Sequence, residues 1–168
     1  MKKVALAAVV LLAVFVCDSI AATLAGRVVG VSDGDTVTVL TAENRQFKIR
    51  LSGIDAPEKK QPFGAHAKAT LARQLFGQPV VVEWSKTDRY GRIVGKIEVD
   101  GVDANLEQVR EGSAWVYTRY LRELPAEDRS LYLEVERQAK SERRGLWRDS
   151  EPEPPWQWRK ERRPAKKS

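Results

Sequence analysis

Residues Val31 to Val39 read VSDGDTVTV, two aspartates around one glycine at the head of an alternating β-branched run. Asp-Gly between apolar runs is a strong hairpin signal, because both residue types tolerate turn backbone. On that reading Asp33 and Gly34 make a turn and Asp35 starts the next strand as a solvated residue. Whether two carboxylates so close together also serve chemistry depends on what the rest of the chain brings to them.

Outward from this stretch the pattern stays strand-like. The segments AGRVVGVS, DTVTVL and QFKIRLSGI, within residues 25–54, alternate with period two and are separated by turn residues. A helix is expected over about Phe63–Phe76, with Leu71 and Leu75 at i, i+4 and Gly77 as its stop. QPVVVEWSK and GRIVGKIEVDG return to strand, and a short helix follows over Ala104–Arg110, ending at Gly112. The last expected helix begins near Pro125, repeats Leu131, Val135 and Ala139 on one face, and stops at Gly145. Strands with an inserted helix and a helical end indicate an α+β domain, and a small five-stranded barrel with helices around it fits.

Both ends differ from this domain. Lys2 and Lys3 precede an apolar run from Val4 to Val16, and small residues follow up to Ala22. That is the layout of a signal peptide, too short for a membrane span. Residues 1–22 are therefore expected to be removed on export, to the periplasm or beyond, with no stable membrane association. Removal takes Cys17, the single cysteine, so no disulfide framework or thiolate site is expected in 23–168. The formal net charge of +6 would drop by one and stay basic, which favours polyanionic partners. From Ser150 the chain reads SEPEPPWQWRKERRPAKKS, rich in proline and charge without helical or strand period. Residues 150–168 are expected to be an extended, partly disordered tail. Its basic run from Arg159 is read as a solvated tail or as an arm for polyanions, with Trp156 and Trp158 as large apolar groups that could dock instead.

The remaining question is which charged residues the strand-and-turn pattern leaves unexplained. Arg50 lies in an apolar strand, Asp55 precedes Ala56-Pro57 where that strand breaks, and Glu58 follows. Asp88, Arg89, Tyr90, Gly91 and Arg92 form a turn that opens another strand. Chemistry positioned by a rigid scaffold concentrates at such strand ends and turns. His66, within the first helix, reads as an ordinary surface residue.

In this order the motifs DGDTV, R-x-x-x-x-D-x-P-E at Arg50–Glu58 and D-x-Y-G-R at Asp88–Arg92 resemble the thermonuclease (staphylococcal nuclease-like) family. The resemblance continues through NLEQVREGSAWVY and AKSERRGLW and covers about Arg27–Trp147. It implies a five-stranded OB-fold barrel with three α-helices, residues 23–149, and a calcium-dependent phosphodiesterase acting on DNA and RNA. By position, it implies Asp35, Asp55 and the Ala56 carbonyl as calcium ligands, with Asp33 and Thr36 around the ion. It implies Arg50, Arg92 and Glu58 as the catalytic group, and Arg89, Tyr90, Tyr117 and Tyr120 as substrate contacts.

The implied roles agree with elementary chemistry. Calcium takes several hard oxygens in flexible geometry, and two guanidiniums suit a phosphate gathering negative charge. One departure concerns the tyrosines: Thr118 stands where the best-known member carries one, and Tyr117 is displaced by a residue. The expected substrates are single-stranded DNA and RNA, with accessible duplex DNA, cut by a monomer. The competing reading is a catalytically inactive module of the same fold that binds nucleic acid or protein.

Overall fold

The computed structural model describes residues 22–162. The expected signal segment, apart from Ala22, lies outside the described residues, as do Cys17 and the basic end 163–168.

Strand β1 (Ala22–Asp33) turns through Gly34-Asp35 into β2 (Thr36–Leu40), and β3 (Gln46–Leu51) follows antiparallel to β2. After the short β4 (Ile54–Asp55) and helix α1 (Gly64–Leu75), β5 (Pro79–Thr87) pairs with β1 and β6 (Ile93–Val99) pairs with β5. The barrel closes where β6 meets β3 in parallel, Ile49 opposite Ile93 and Arg50 opposite Val94. Closure leaves the five long strands without a free edge, and this is the OB-type barrel that the sequence suggests. Period-two alternation directs Val37, Val39, Ile49, Leu51, Val80, Val82, Ile93 and Ile97 into one core.

Short β7 (Val102–Asp103) leads into α2 (Ala104–Arg110), and β8 (Trp115–Val116) pairs with β4. A 3-10 helix (Thr118–Glu123), α3 (Ala126–Ser141) and a second 3-10 turn (Gly145–Arg148) complete the helical side. Asp103 caps α2 by accepting from the Leu106 N–H, and its other carboxylate oxygen accepts from the buried Tyr132 hydroxyl of α3. Tyr132, Val135 and Ala139 form the buried stripe of α3, whereas Leu131 is 46% exposed. The expected stripe holds at Val135 and Ala139, but Tyr132 takes the place expected of Leu131. The polar handle of Tyr132 decides it, since a buried Tyr needs a partner and Asp103 supplies one.

A second correction concerns the tail. Residues Pro155–Glu161 form a fourth helix, α4, rather than extended chain. Pro155 occupies the first helical turn, where a missing N–H costs nothing, and its side chain is buried. Seven residues make a marginal helix alone, so packing holds it. Trp156 lies face to face with Tyr117 (5.4 Å, 5°) and edge-on to Trp115. Among the described residues, no helix is long and apolar enough to cross a membrane.

Candidate active site

The β1–β2 hairpin is built to be covered. Gly34 is required by space: a Cβ there would lie 2.6 Å from the Ala67 Cβ and 2.7 Å from the Ala56 Cβ. Its carbonyl accepts from Gln108 Nε2 (2.7 Å), which also donates to the Ala67 carbonyl, so α2 ties the turn to α1. Asp35 is consequently only 7% exposed, not the solvated strand start of the hairpin reading. Its Oδ1 accepts from Thr36 Oγ1 (3.0 Å) and its Oδ2 from the Ala56 N–H (2.9 Å).

Opposite the turn, β3 aims Arg50 between two carboxylates. Its Nη1 lies 2.7 Å from Asp35 Oδ2 and its Nη2 lies 2.8 Å from Asp55 Oδ1. Asp55 is 1% exposed, held by the β4–β8 pairing opposite Trp115. Burial is the largest influence on the Asp55 carboxyl and leaves its pKa above the ordinary value despite the two guanidiniums beside it. Burial, then the charge of Asp35, pushes Asp33 up to about 6. For Arg50 the burial acts against the charged form, yet Asp35, Asp55 and Asp33 outweigh it and raise the pKa. The Arg50 guanidinium thus compensates part of a small cluster of buried acids.

Glu58 reaches this cluster from the loop before α1. The loop is pinned because Gly64 packs against the Glu58 carbonyl with no room for a side chain, and because the Glu58 N–H donates to Gln61 Oε1 (3.0 Å). Glu58 meets the carboxylates through a residue the sequence reading did not place there, Arg159 of α4. Arg159 Nη2 lies 2.7 Å from Asp55 Oδ2, and its Nη1 lies 3.2 Å from Asp55 Oδ1 and 2.8 Å from Glu58 Oε1. The basic run read as a free arm is therefore engaged at its first member.

The second arginine cluster stands apart. Arg92 Nε donates to Asp88 Oδ2 (2.7 Å), Tyr90 N–H donates to Asp88 Oδ1, and Arg89 Nη2 donates to the Tyr90 hydroxyl. Burial pushes Asp88 up, but the Arg92 side chain, the two backbone N–H groups and the Arg92 charge hold it below its usual value. Barrel register puts Val94 beside Arg50, and Arg92 stands in the turn just before β6. No hydrogen bond joins Arg92 to Asp35, Asp55 or Glu58 among the described residues. The structure thus brings together Asp33, Asp35, Thr36, Arg50, Asp55, Ala56 and Glu58, and keeps Arg89, Tyr90 and Arg92 on a neighbouring turn. Tyr117 and Tyr120 meet edge-on at 4.9 Å, with the Tyr117 ring also stacked on Trp156. His66 is exposed, as expected.

Comparison with known proteins places this geometry. Residues 48–149 match the family model described as staphylococcal nuclease homologue. The chain belongs to the staphylococcal nuclease family. The matched stretch of this family member contains Arg50, Asp55, Ala56, Glu58 and Arg92, while α4 lies outside it. The chain is 40% identical over 149 residues to an uncharacterized endonuclease of Escherichia coli, covering 87% of this chain and 92% of that protein. It is 39% identical over 145 residues to a micrococcal nuclease of Shigella flexneri, covering 80% of each. A staphylococcal-like nuclease of Arabidopsis thaliana is 40% identical over 119 residues, which are 71% of this chain and 35% of that one.

Sequence reasoning missed two kinds of residue. Asn105 and Gln108, wholly buried on α2, had only their polarity on an apolar face as a signal. Asn105 accepts from the Ile97 N–H and donates to the Ser52 and Gly95 carbonyls, fixing β6 against the strand break before Asp55. Arg159 had no local signal, because its partners lie 104 and 101 residues away.

Proposed function

We propose that this chain is an exported nuclease that hydrolyses phosphodiester bonds of DNA and RNA, with calcium as its cation. The observation carrying the reading is Arg50 held between Asp35 and Asp55 at 2.7 and 2.8 Å, with Glu58 in the same cluster. Family membership supports the hydrolytic class, and the names of the relatives, endonuclease and micrococcal nuclease, support nucleic acid as substrate.

The donors at the cluster fit a hard divalent ion. Asp35 and Asp55 offer carboxylate oxygens within the span of one guanidinium, and Ala56, whose N–H donates to Asp35 Oδ2, would offer its backbone carbonyl as a further ligand. Two carboxylates and one carbonyl do not fill the roughly six to eight positions of a calcium ion, so water must complete the coordination. Calcium tolerates such an open, flexible set, and weak binding suffices at extracellular concentrations of about 0.1–1 mM. When bound, calcium supplies positive charge to the phosphate oxygens.

The chain's own groups do the rest. Arg50 is pre-aimed by two carboxylates, so its planar fork loses little freedom on meeting a phosphate. Arg92, held by Asp88 in the turn before β6, adds a second guanidinium for the charge that grows on the equatorial and departing oxygens. Glu58 takes or orients the proton of the attacking water. Arg89, Tyr90, Tyr117 and Tyr120 hold the nucleotide, and aromatic stacking accepts any base, which suits single-stranded DNA and RNA. The protein works in the periplasm or outside the cell, as a monomer without stable membrane association.

The test is degradation of single-stranded DNA and RNA in calcium, then with a chelator, then in magnesium. Cleavage is expected in calcium alone, since magnesium demands near-ideal octahedral geometry. Full turnover in magnesium with calcium chelated would remove Asp35 and Asp55 from the metal site. Binding without cleavage under all conditions would leave the non-catalytic binding module.

A further inference from the structure

The C-terminal helix places two dissimilar groups on one face. Trp156 and Arg159 are three residues apart, which makes them neighbours on a helix surface. Trp156 covers the ring of Tyr117 in parallel, 5.4 Å between centroids and 5° between planes. Arg159 makes a two-pronged contact with Asp55 and a further one with Glu58 Oε1 at 2.8 Å. Asp55 Oδ1 is shared with Arg50, whereas Oδ2 meets Arg159 at 2.7 Å. Both oxygens of this buried carboxylate therefore face guanidinium, and the carboxyl of Glu58 is drawn to the same group.

We propose that α4 is an intramolecular occupant of the active site, Arg159 standing at the cation's carboxylate and Trp156 on the nucleotide's aromatic platform, so that calcium and substrate must displace it. The proposal rests on the reading of Asp55 as a calcium ligand and deepens it. The Arg159 guanidinium takes lone-pair directions of Asp55 Oδ2 and places a positive charge where the calcium ion would stand, so the two oppose one another there. An aromatic ring and a base compete in the same way for the face of Tyr117.

The anchoring of the segment suits a release that leaves the barrel folded. Just before α4, Gln61 Nε2 donates to the Glu153 carbonyl at 2.6 Å, and Pro155, the first residue of the helix, is buried. This tether stays close to the loop that carries Glu58, because the same Gln61 accepts from the Glu58 N–H. Beyond it, α4 is seven residues long and the Arg159 side chain is 35% exposed. A partly exposed ion pair is weakened by solvent and salt, unlike the Arg50 pair behind it. Displacement thus acts on a short helix tip and not on the core.

The experiment measures calcium alone binding to the full-length chain by titration calorimetry, in wild type, Arg159→Gln, Arg159→Lys and Asp55→Asn, with melting temperature as the folding control. Arg159→Gln should bind calcium about tenfold more tightly, as expected when a competing charge-assisted contact is removed. Arg159→Lys, which keeps the charge and loses the two-pronged geometry, should fall between. In wild type, calcium should also change tryptophan fluorescence as Trp156 leaves Tyr117, and Trp156→Ala should abolish most of that change. Equal calcium affinity in wild type and Arg159→Gln would overturn the proposal while leaving the calcium site standing. Absence of calcium binding in both folded proteins, or binding undiminished in Asp55→Asn, would overturn the calcium site and the proposal with it.

Discussion

Two arginines meet Asp55, and they belong to different kinds of structure. Arg50 stands on a barrel strand with its side chain 14% exposed, bridging two carboxylates that the fold also buries. Arg159 stands on a short helix at the end of the described chain, more than twice as exposed, and reaches the same carboxylate from solvent. The first contact is part of the framework: removing it leaves buried charge with nowhere to go. The second is a contact the framework can do without. The difference teaches that an ion pair's place in the fold, more than its length, decides whether it is structural or exchangeable.

The largest expected effect separates the two. Arg50→Ala should lower unfolding free energy by about 3–5 kcal/mol, the cost of breaking a buried pair and stranding its partners. Urea denaturation reads this, and an effect below about 1 kcal/mol, the range of surface pairs, would erase the distinction between the two arginines. Arg92→Ala comes next, on rate instead of stability. Turnover should fall by about two orders of magnitude, on the order of 3 kcal/mol of transition-state stabilisation. Calcium affinity should be kept, because Arg92 contacts Asp88 and neither Asp35 nor Asp55. Steady-state kinetics beside calcium titration checks both halves.

A smaller effect probes the support under the barrel-side arginine. Gln108→Ala leaves the Gly34 and Ala67 carbonyls without their buried donor, a loss of about 1–3 kcal/mol. An unchanged melting curve would mean that the hairpin does not depend on α2. Arg159→Ala should cost no more than about 1 kcal/mol of stability, in keeping with a partly exposed pair. The smallest effect is in pH. Asp88 titrates below its usual value in the folded state, so its pairing contributes fully above the unfolded pKa and is lost as pH falls through the folded one. Stability measured from pH 5 downward should therefore fall less steeply in Asp88→Asn than in wild type.

The barrel was legible because its information is local. Period-two alternation assigns Val37, Val39, Ile49 and Leu51 to one face, and turn residues mark where each strand stops. The helix ends at Gly77 and Gly112 were legible for the same reason, each glycine adopting positive φ, whereas α3 stops at Ser141, four residues before the expected Gly145. The first residue of α3's buried face was not legible, since Leu131 and Tyr132 are both plausible core residues until Asp103 supplies a partner for the hydroxyl. In the site, order along the chain picked out Asp35, Arg50, Asp55 and Glu58 as a group. It also attached Arg92 to that group, which the structure keeps on a separate turn with Asp88.

By itself the sequence determined an alternating strand pattern, a hairpin at Gly34 and a set of acids and arginines at strand ends, because spacing and turn chemistry act over a few residues. Tertiary structure decided that Asp35 is sealed by Ala56 and Thr36, and that Arg50 spans two carboxylates. It also decided that a tail with no period of its own folds into a helix and delivers Arg159 to Asp55 from 104 residues away. Contacts of that separation arise only once the barrel has closed and burial has made an unpaired carboxylate costly. No local pattern records which of several exposed arginines will answer it.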